Sequence, residues 1–216
     1  MEYRDHIASL VGRGILDRRI FYKDQKICQA HTPADNIWVI TIDTQDEQPF
    51  EDIVDLVKMT LDVPFCAVSL IDEDRQWLKA FRGELEREIP RKTSFCHHAI
   101  KQYTPFIVED ATKDDIFHDN PLVTDEPFIR SYIGIPLTSY DSYNLGSLCA
   151  IDTKPRYFTD REIATLMAFA RLVLNELELR HVADTDGLTG ALSRSAWLKA
   201  AETEFSRDKR YQHGVA

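Results

Sequence analysis

A cysteine and two histidines stand side by side in the middle of the chain, as Cys96, His97 and His98. Thiol and imidazole groups bind metal ions and serve as nucleophile and base in catalysis. Neighbouring residues of a helix point about 100° apart, however, and the His-x-x-x-His spacing of helical metal sites is absent. We therefore expect no metal site, and we interpret Cys96 as an inward-facing thiol beside two surface histidines.

A second group of candidates lies in the acidic stretch from Glu109 to Glu126, which combines carboxylates and amides with aromatic rings. That mixture lines many small-molecule pockets. The stretch predicts a long ordered loop or a short helix. Asp119-Asn120-Pro121 is also typical of a cap and turn, so ligand contact and local structure both stay open for Asn120 and Phe117. The candidate ligand-binding residues are Phe95, Cys96, Asp110, Phe117, Asn120, Tyr132 and Cys149.

Tyr132 and Cys149 belong to predicted strands, where periodicity alone does not separate a pocket-facing residue from a core residue. Apolar and polar spacing predicts the elements that position all of these candidates. Phe95, Cys96, Ala99, Ile100 and Tyr103 fall on one face of a helix capped by Thr93 or Ser94. The other predicted elements are a helix over 49–61, a hairpin of strands 63–71 and 76–81, a strand at 105–108, and a hairpin of strands 129–137 and 145–151.

A long helix is predicted over 158–183, beginning at a capping box in which Thr159 precedes Glu162. Its apolar residues recur at alternating steps of four and three, which is the spacing of a coiled-coil seam. The pattern runs further than one domain face requires, so we expect a homodimer through this helix. The seam residues are Ile163, Met167, Ala170, Leu174 and Leu177.

Composition excludes several classes of function. The net charge is −10 and the pI is about 5.2, which disfavours nucleic acid and anionic lipid as partners. No apolar run is long enough for a membrane span or a signal peptide, so we expect a cytoplasmic location. The four cysteines form no C-x-x-C pair, and we expect buried thiols in a reducing compartment. No cofactor is indicated, although an unknown small-molecule ligand is compatible with the candidates.

The segment from about Phe50 to Arg180 resembles a GAF domain of the bacterial signalling type. This resemblance implies an α/β (α+β) fold with an antiparallel sheet of about five to six strands, helices packed on it, and a long C-terminal signalling helix. It also implies small-molecule sensing and dimerisation. The motifs that carry it are Val68 to Trp77, Ser94 to Ile100, Asp119 to Val123, Ile133 to Leu137, and Leu145 to Asp152.

The run from Asp184 to Trp197 resembles the opening of a GGDEF domain, the catalytic module of diguanylate cyclases. Asp186, Leu188, Thr189, Gly190 and Arg194 match that opening, whereas Ala191, Ser193 and Ser195 depart from it. We therefore divide the chain into an unassigned extension (1–45), which includes a predicted strand at 37–42, a GAF core (46–157), a linker helix (158–183) and the beginning of a GGDEF domain (184–216).

The order of these domains implies a sensor that controls cyclic di-GMP synthesis by a downstream cyclase. The metal-binding and Gly-Gly-Asp/Glu-Glu-Phe segments of that family are absent, so this chain alone should not be an enzyme. A sensor or dimerisation module on a degenerate GGDEF domain is the main alternative. Another alternative is a bilin photoreceptor, but residues 122–128 of this chain contain no cysteine to which the bilin could be attached. A further alternative is a GAF-type methionine sulfoxide reductase, which would need several cysteines gathered over the pocket.

Overall fold

A computed structural model describes residues 46–72, 74–139, 142–184, 193–194 and 196–198 of the chain. The strand predicted at 37–42 and most of the GGDEF-like run lie outside these residues. The chain divides into two compact units, one of which is Asp46–Glu176. The other includes the chain from Leu177 onward, where Ser193 N donates a hydrogen bond of 2.7 Å to the Asp184 carbonyl.

Six antiparallel strands form a single sheet in the larger unit, which confirms the predicted fold class. They run in the order β3-β2-β1-β6-β5-β4 across the sheet, so the two predicted hairpins, β1–β2 and β5–β6, meet at its centre. The strands are β1 (Phe65–Ile71), β2 (Arg75–Arg82), β3 (Glu88–Pro90), β4 (Phe106–Val108), β5 (Ser131–Thr138) and β6 (Asn144–Asp152).

Helix α1 (Gln48–Leu61) covers one face of the sheet, as its predicted helical spacing requires. Phe50, Ile53, Val54, Val57 and Leu61 are all buried on its inner side. The helix ends where Asp62 adopts a left-handed conformation with φ of 50°. Cys66 of β1 connects the sheet to this helix, because its thiol donates a hydrogen bond to the Val54 carbonyl at 3.2 Å.

Successive side chains along a strand point to opposite faces of the sheet, whereas directly paired residues of neighbouring strands share a face. Cys66 faces α1, and so do its partners Arg82 of β2 and Ala150 of β6. Arg82 makes ion pairs with Glu51 and Asp55 of α1. The neighbouring pairs point to the opposite face: they are Ala67 with Cys149, Ser69 with Ser147, and Gly134 with Cys149.

The central strands approach each other closely because Gly146 has no side chain. A Cβ at Gly146 would overlap the backbone oxygen of Ser69 on β1. The neighbouring pairing of Ser69 with Ser147 depends on this approach, which brings two hydroxyls onto the same face of the sheet.

The second face carries short helical segments rather than one long helix. Helix α2 (Phe95–Ala99) begins at Ser94, whose side chain accepts a hydrogen bond from His97 N at 3.1 Å. It ends at Ala99, so Tyr103 falls beyond the helix and is 52% exposed, and its predicted inward position is wrong. The acidic stretch contains a 3₁₀ turn (Ala111–Lys113) and helix α3 (Pro121–Thr124).

Helix α4 (Asp160–Asp184) occupies the predicted position of the long C-terminal helix. The predicted capping box is present: Glu162 N donates to Thr159 Oγ1 at 3.3 Å, and Thr159 N donates to Glu162 Oε2 at 2.8 Å. The buried side of the helix is formed by Leu166, Ala170, Val173 and Leu177.

That buried side only partly coincides with the predicted seam. Ala170 and Leu177 are buried within the single chain, Ile163 and Leu174 are half-buried, and Met167 is 38% exposed. In the part of the chain that the structure describes, no helix is both long enough and apolar enough to cross a membrane.

Candidate functional site

Five of the seven predicted ligand-binding residues meet in one buried cluster between α2 and the second face of the sheet. We call Phe95, Cys96, Phe117, Tyr132 and Cys149 the inner cluster. Each is at most 3% exposed. Three separate segments supply them: α2, the acidic stretch, and the β5–β6 hairpin. Tertiary folding therefore joins residues that are far apart in the sequence.

Aromatic rings form the outer part of the inner cluster. The rings of Phe95 and Phe117 stack with centroids 4.0 Å apart and planes inclined by 8°. Tyr132 lies beside them, with its ring centroid 5.2 Å from that of Phe95. Phe106 and His98 extend the group, with centroids 6.0 Å and 4.9 Å from Phe117. Both were missed as candidates, although the position of Phe106 opposite Gly134 in the β4–β5 pairing explains its place.

Hydroxyl and thiol groups form the inner part, against the sheet. Tyr132 OH donates to Cys96 Sγ at 3.2 Å and lies 3.5 Å from Ser147 Oγ, which is 3.4 Å from Ser69 Oγ. Gly134 makes room for this arrangement, since a Cβ there would collide with the Tyr132 phenol. Ser69 and Ser147 were also missed, and the available signal was that both are polar residues within otherwise apolar strands.

Two cysteines face each other across this polar layer. The Sγ atoms of Cys96 and Cys149 are 3.8 Å apart. Burial by itself raises the pKa of Cys96, but hydrogen bonds with Cys149, Ser147, Ser69 and Tyr132 lower that pKa to about 6. The hydrogen bond with Cys96, together with burial, raises the pKa of Cys149 well above its usual value. The pKa values of the two thiols are therefore shifted in opposite directions.

The other described cysteine behaves differently. Cys66 lies on the α1 side of the sheet, where burial raises its pKa to about 11. It is a buried thiol, as expected from the composition, and a desolvated thiol of this kind is unreactive. Cys149 is buried as well, but α2 places a second sulfur against it.

Asp110 has a local structural role. Its carboxylate accepts hydrogen bonds from Thr112 N at 3.2 Å and Thr112 Oγ1 at 2.6 Å, and it pairs with Lys113 at 2.7 Å. Lys113 and Thr112 together hold the pKa of Asp110 below its usual value. The carboxylate thus caps the 3₁₀ turn, outside the inner cluster.

Asn120 also has a structural role, because its side chain connects two segments. Its Oδ1 accepts from Leu122 N at 2.9 Å, and its Nδ2 donates to the Thr93 carbonyl at 3.0 Å. It therefore caps α3 and ties α3 to the turn that precedes α2. Asn120 thus makes the contacts of a cap and turn, and Phe117 lies in the inner cluster. Ligand contact by either residue stays a prediction.

The prediction of two surface histidines is wrong, because His97 and His98 are both half-buried. Arg91 Nε donates to His97 Nδ1 at 3.1 Å. Burial, together with the positive charges of Lys101 and Arg91, lowers the pKa of His97 to about 4. Burial and Lys101 lower the pKa of His98 as well. Among the described residues, no three His, Cys, Asp or Glu side chains are grouped so as to hold a metal ion.

The geometry of the inner cluster limits what it could recognise. Its polar atoms are hydroxyls and thiols, and its other surfaces are aromatic faces. A ligand bound by these groups would be selected by shape, stacking and hydrogen bonds rather than by ion pairing. The cysteine pair adds a capacity for thiol chemistry.

Comparison with known proteins places this geometry in a family. A cyclic di-GMP phosphodiesterase of Pseudomonas aeruginosa is 39% identical over 164 residues, which cover 75% of this chain but only 28% of that protein. The chain therefore spans less than two thirds of the length of this relative.

Solved structures show the same fold at low sequence identity. The GAF domain of a phosphoenolpyruvate-protein phosphotransferase from Acinetobacter is 16% identical, with a TM-score of 0.53 over 69% of this chain and 93% of that one. The free methionine-R-sulfoxide reductase of Neisseria meningitidis is 17% identical, with a TM-score of 0.53 over 75% and 99%. At this level of identity the likeness is one of fold and does not carry an activity.

The family match is continuous over the elements that build the site. The GAF domain family matches residues 47–177, which run from the start of α1 to the middle of α4 and include the whole inner cluster. The chain belongs to the GAF domain family.

Proposed function

We propose that this chain is the sensory and regulatory GAF domain of a longer protein that acts in cyclic di-GMP signalling. The observation that carries the proposal is the inner cluster, where aromatic rings and buried hydroxyls converge between α2 and the sheet. The sequence identity of 39% with a cyclic di-GMP phosphodiesterase supports the signalling context. In this proposal the chain itself senses, and catalysis belongs to another domain of the full-length protein.

A route from the inner cluster to α4 runs through β6. Cys149 belongs to β6, and the loop that follows this strand carries Arg156. Arg156 Nη2 donates to the Leu61 carbonyl at 2.6 Å and to Glu162 Oε1 at 2.5 Å. The same guanidinium thus joins the end of α1 to the first turn of α4. A ligand that shifts β6 would bias the position of α4, provided that it binds the two arrangements unequally.

Two opposite reactions are compatible with the signalling context. The phosphodiesterase relative favours control of cyclic di-GMP hydrolysis, whereas the resemblance of 184–197 to a GGDEF opening favours control of its synthesis. We propose regulation of cyclic di-GMP turnover by an attached catalytic domain, with the GAF domains paired through α4 as a homodimer. A degenerate GGDEF domain without activity is an outcome that the same assay would reveal.

The experiment is to assay the full-length protein for synthesis of cyclic di-GMP from GTP and for its hydrolysis. Phe117→Leu alters the inner cluster, and Phe128→Leu alters a phenylalanine that is 45% exposed. We expect Phe117→Leu to change the rate at least about fivefold, since allosteric coupling is commonly worth 1–3 kcal/mol. Phe128→Leu should leave the rate unchanged.

Near-ultraviolet circular dichroism of both variants would show that they remain folded. Absence of both activities from the full-length protein would refute the proposed control of cyclic di-GMP turnover and favour a degenerate GGDEF domain. A rate that Phe117→Leu leaves unchanged would refute the regulatory role of the inner cluster, while the family assignment would stand.

A further inference from the structure

The cysteine pair in the inner cluster is placed for disulfide chemistry, whereas the third described cysteine, Cys66, lies on the other face of the sheet. Cys96 lies on α2 and Cys149 on β6, and 52 residues separate them in the sequence. Their sulfurs nevertheless lie 3.8 Å apart. A disulfide requires an S–S distance of about 2.05 Å, so the sulfurs must approach by about 1.8 Å. Because α2 has only five residues, a small shift of this segment would be sufficient.

We propose that Cys96 and Cys149 form a reversible disulfide when a hydroperoxide oxidises this domain. Cys96 is the attacking thiol and Cys149 is the resolving thiol. The site is a modification site in its own right, and it stands independently of the proposed role in cyclic di-GMP signalling.

The surroundings assign these two roles. Tyr132 OH donates to Cys96 Sγ at 3.2 Å, and Ser147 and Ser69 stand behind it, so the negative charge of a thiolate is stabilised at Cys96. The pKa of Cys96 is lowered to about 6, and that of Cys149 is raised. The reaction needs an attacking sulfur that is deprotonated and a resolving sulfur that brings a proton.

The reaction balances in two steps. The Cys96 thiolate attacks the terminal oxygen of the hydroperoxide and the O–O bond breaks. The departing alkoxide or hydroxide takes up the proton that the Cys96 thiol released on ionisation, and it leaves as alcohol or water. This step gives a sulfenic acid at Cys96. Cys149 sulfur then attacks the sulfenic sulfur, the S–O bond breaks, and hydroxide leaves as water with the Cys149 proton. Two thiols lose two electrons in total, and one hydroperoxide is reduced.

Burial controls the rate of this reaction. Cys96 is 2% exposed and Cys149 is fully buried, so a hydroperoxide reaches them only when the α2 segment opens. Ser94, which caps α2, is also hydrogen-bonded to Gln76 of β2. Opening of the α2 segment should therefore limit the rate of oxidation, and this rate should reach a maximum at high peroxide concentration.

The test is to treat the 216-residue chain with hydrogen peroxide, block the remaining thiols with N-ethylmaleimide under denaturing conditions, and map the peptides by mass spectrometry. We expect a peptide pair linked through Cys96 and Cys149 that dithiothreitol separates. Cys66→Ser is the matched control, because Cys66 lies on the other face of the sheet, and the link should survive in it.

Cys149→Ser should abolish the link and leave a sulfenic acid at Cys96 that dimedone labels. Cys149→Ala serves the same purpose if the serine variant does not fold. The proposal is overturned if both thiols stay reduced, if they oxidise further without a link, or if the links involve Cys28 or Cys66 instead.

Discussion

His97 is the clearest case in which one residue should make stability depend on pH. Its pKa is about 4 in the folded chain and 6.5 in an unfolded one. Between these values the unfolded chain binds a proton that the folded chain does not. The free energy of unfolding should therefore fall as the pH drops from about 6.5 toward 4, with a slope approaching about 1.4 kcal/mol per pH unit.

Urea unfolding of the wild type and of His97→Gln across this range measures the effect. Glutamine can still accept the hydrogen bond from Arg91, so the variant should fold and show a shallower slope. His118→Gln, a change at an exposed histidine, should keep the slope of the wild type. Equal slopes in all three proteins would show that His97 does not couple folding to pH.

At the scale of single residues, the sequence identified Phe95, Cys96, Phe117, Tyr132 and Cys149 as candidates, and the structure brings these five together. It did not separate them from Asp110 and Asn120. Both side chains accept hydrogen bonds from backbone N–H groups two residues further along the chain, which is a common property of Asp and Asn in loops. Ser69 and Ser147 were overlooked because their importance depends on a pairing between β1 and β6.

At the scale of secondary structure elements, local hydrogen bonds determine where a helix begins. The capping box of α4 is an example. Replacing Thr159 with Ala removes the acceptor of Glu162 N and should cost about 1 kcal/mol of stability. Thr165→Ala is the matched control, because Thr165 Oγ1 bonds only the Arg161 carbonyl within the same helix. Alanine has a higher helix propensity, so this control should be neutral or slightly stabilising.

Urea unfolding of the two variants provides the comparison. Equal losses of stability would show that the Thr159 cap contributes no more than an ordinary hydroxyl on the helix. The predicted capping box was confirmed in detail because both of its partners lie within four residues of sequence.

Helix α2 shows the limit of such local reasoning. Helical spacing placed Tyr103 on the inner face, but the helix ends at Ala99 and Tyr103 is exposed. The carbonyls of Ile100 and Gln102 accept hydrogen bonds from Asn144 Nδ2 at 2.8 and 2.9 Å. A residue of a distant strand thus holds the chain that leaves the helix, and no local signal could have predicted it.

At the scale of the whole molecule, we predict a homodimer through α4, and the burial pattern shows which residues can test it. The predicted seam includes Leu177, but a charge there would disturb packing within the single chain because Leu177 is 1% exposed. Met167 belongs to the same seam and is 38% exposed, whereas Leu172 is 49% exposed and points away from it. We expect Met167→Glu to dissociate the dimer and Leu172→Glu to leave it intact.

Sedimentation velocity of the two variants and the wild type gives the answer. A Met167→Glu variant that remains dimeric, together with a dissociated Leu172→Glu variant, would move the interface to the other side of α4. A monomeric wild type would remove the seam altogether.

The sequence by itself determined the fold class, both central hairpins and the positions of α1 and α4. The hairpins and helices follow from apolar periodicity and from capping residues, which act over a few residues along the chain, whereas the fold class followed from the resemblance of the motifs to a GAF domain. Only the tertiary structure decided how the inner cluster is built. The antiparallel register puts Ser69, Ser147 and Cys149 on one face, the absence of side chains at Gly134 and Gly146 lets groups approach, and α2 brings Cys96 to within 3.8 Å of Cys149. Contacts between distant segments depend on pairing and packing in three dimensions, which local periodicity does not encode.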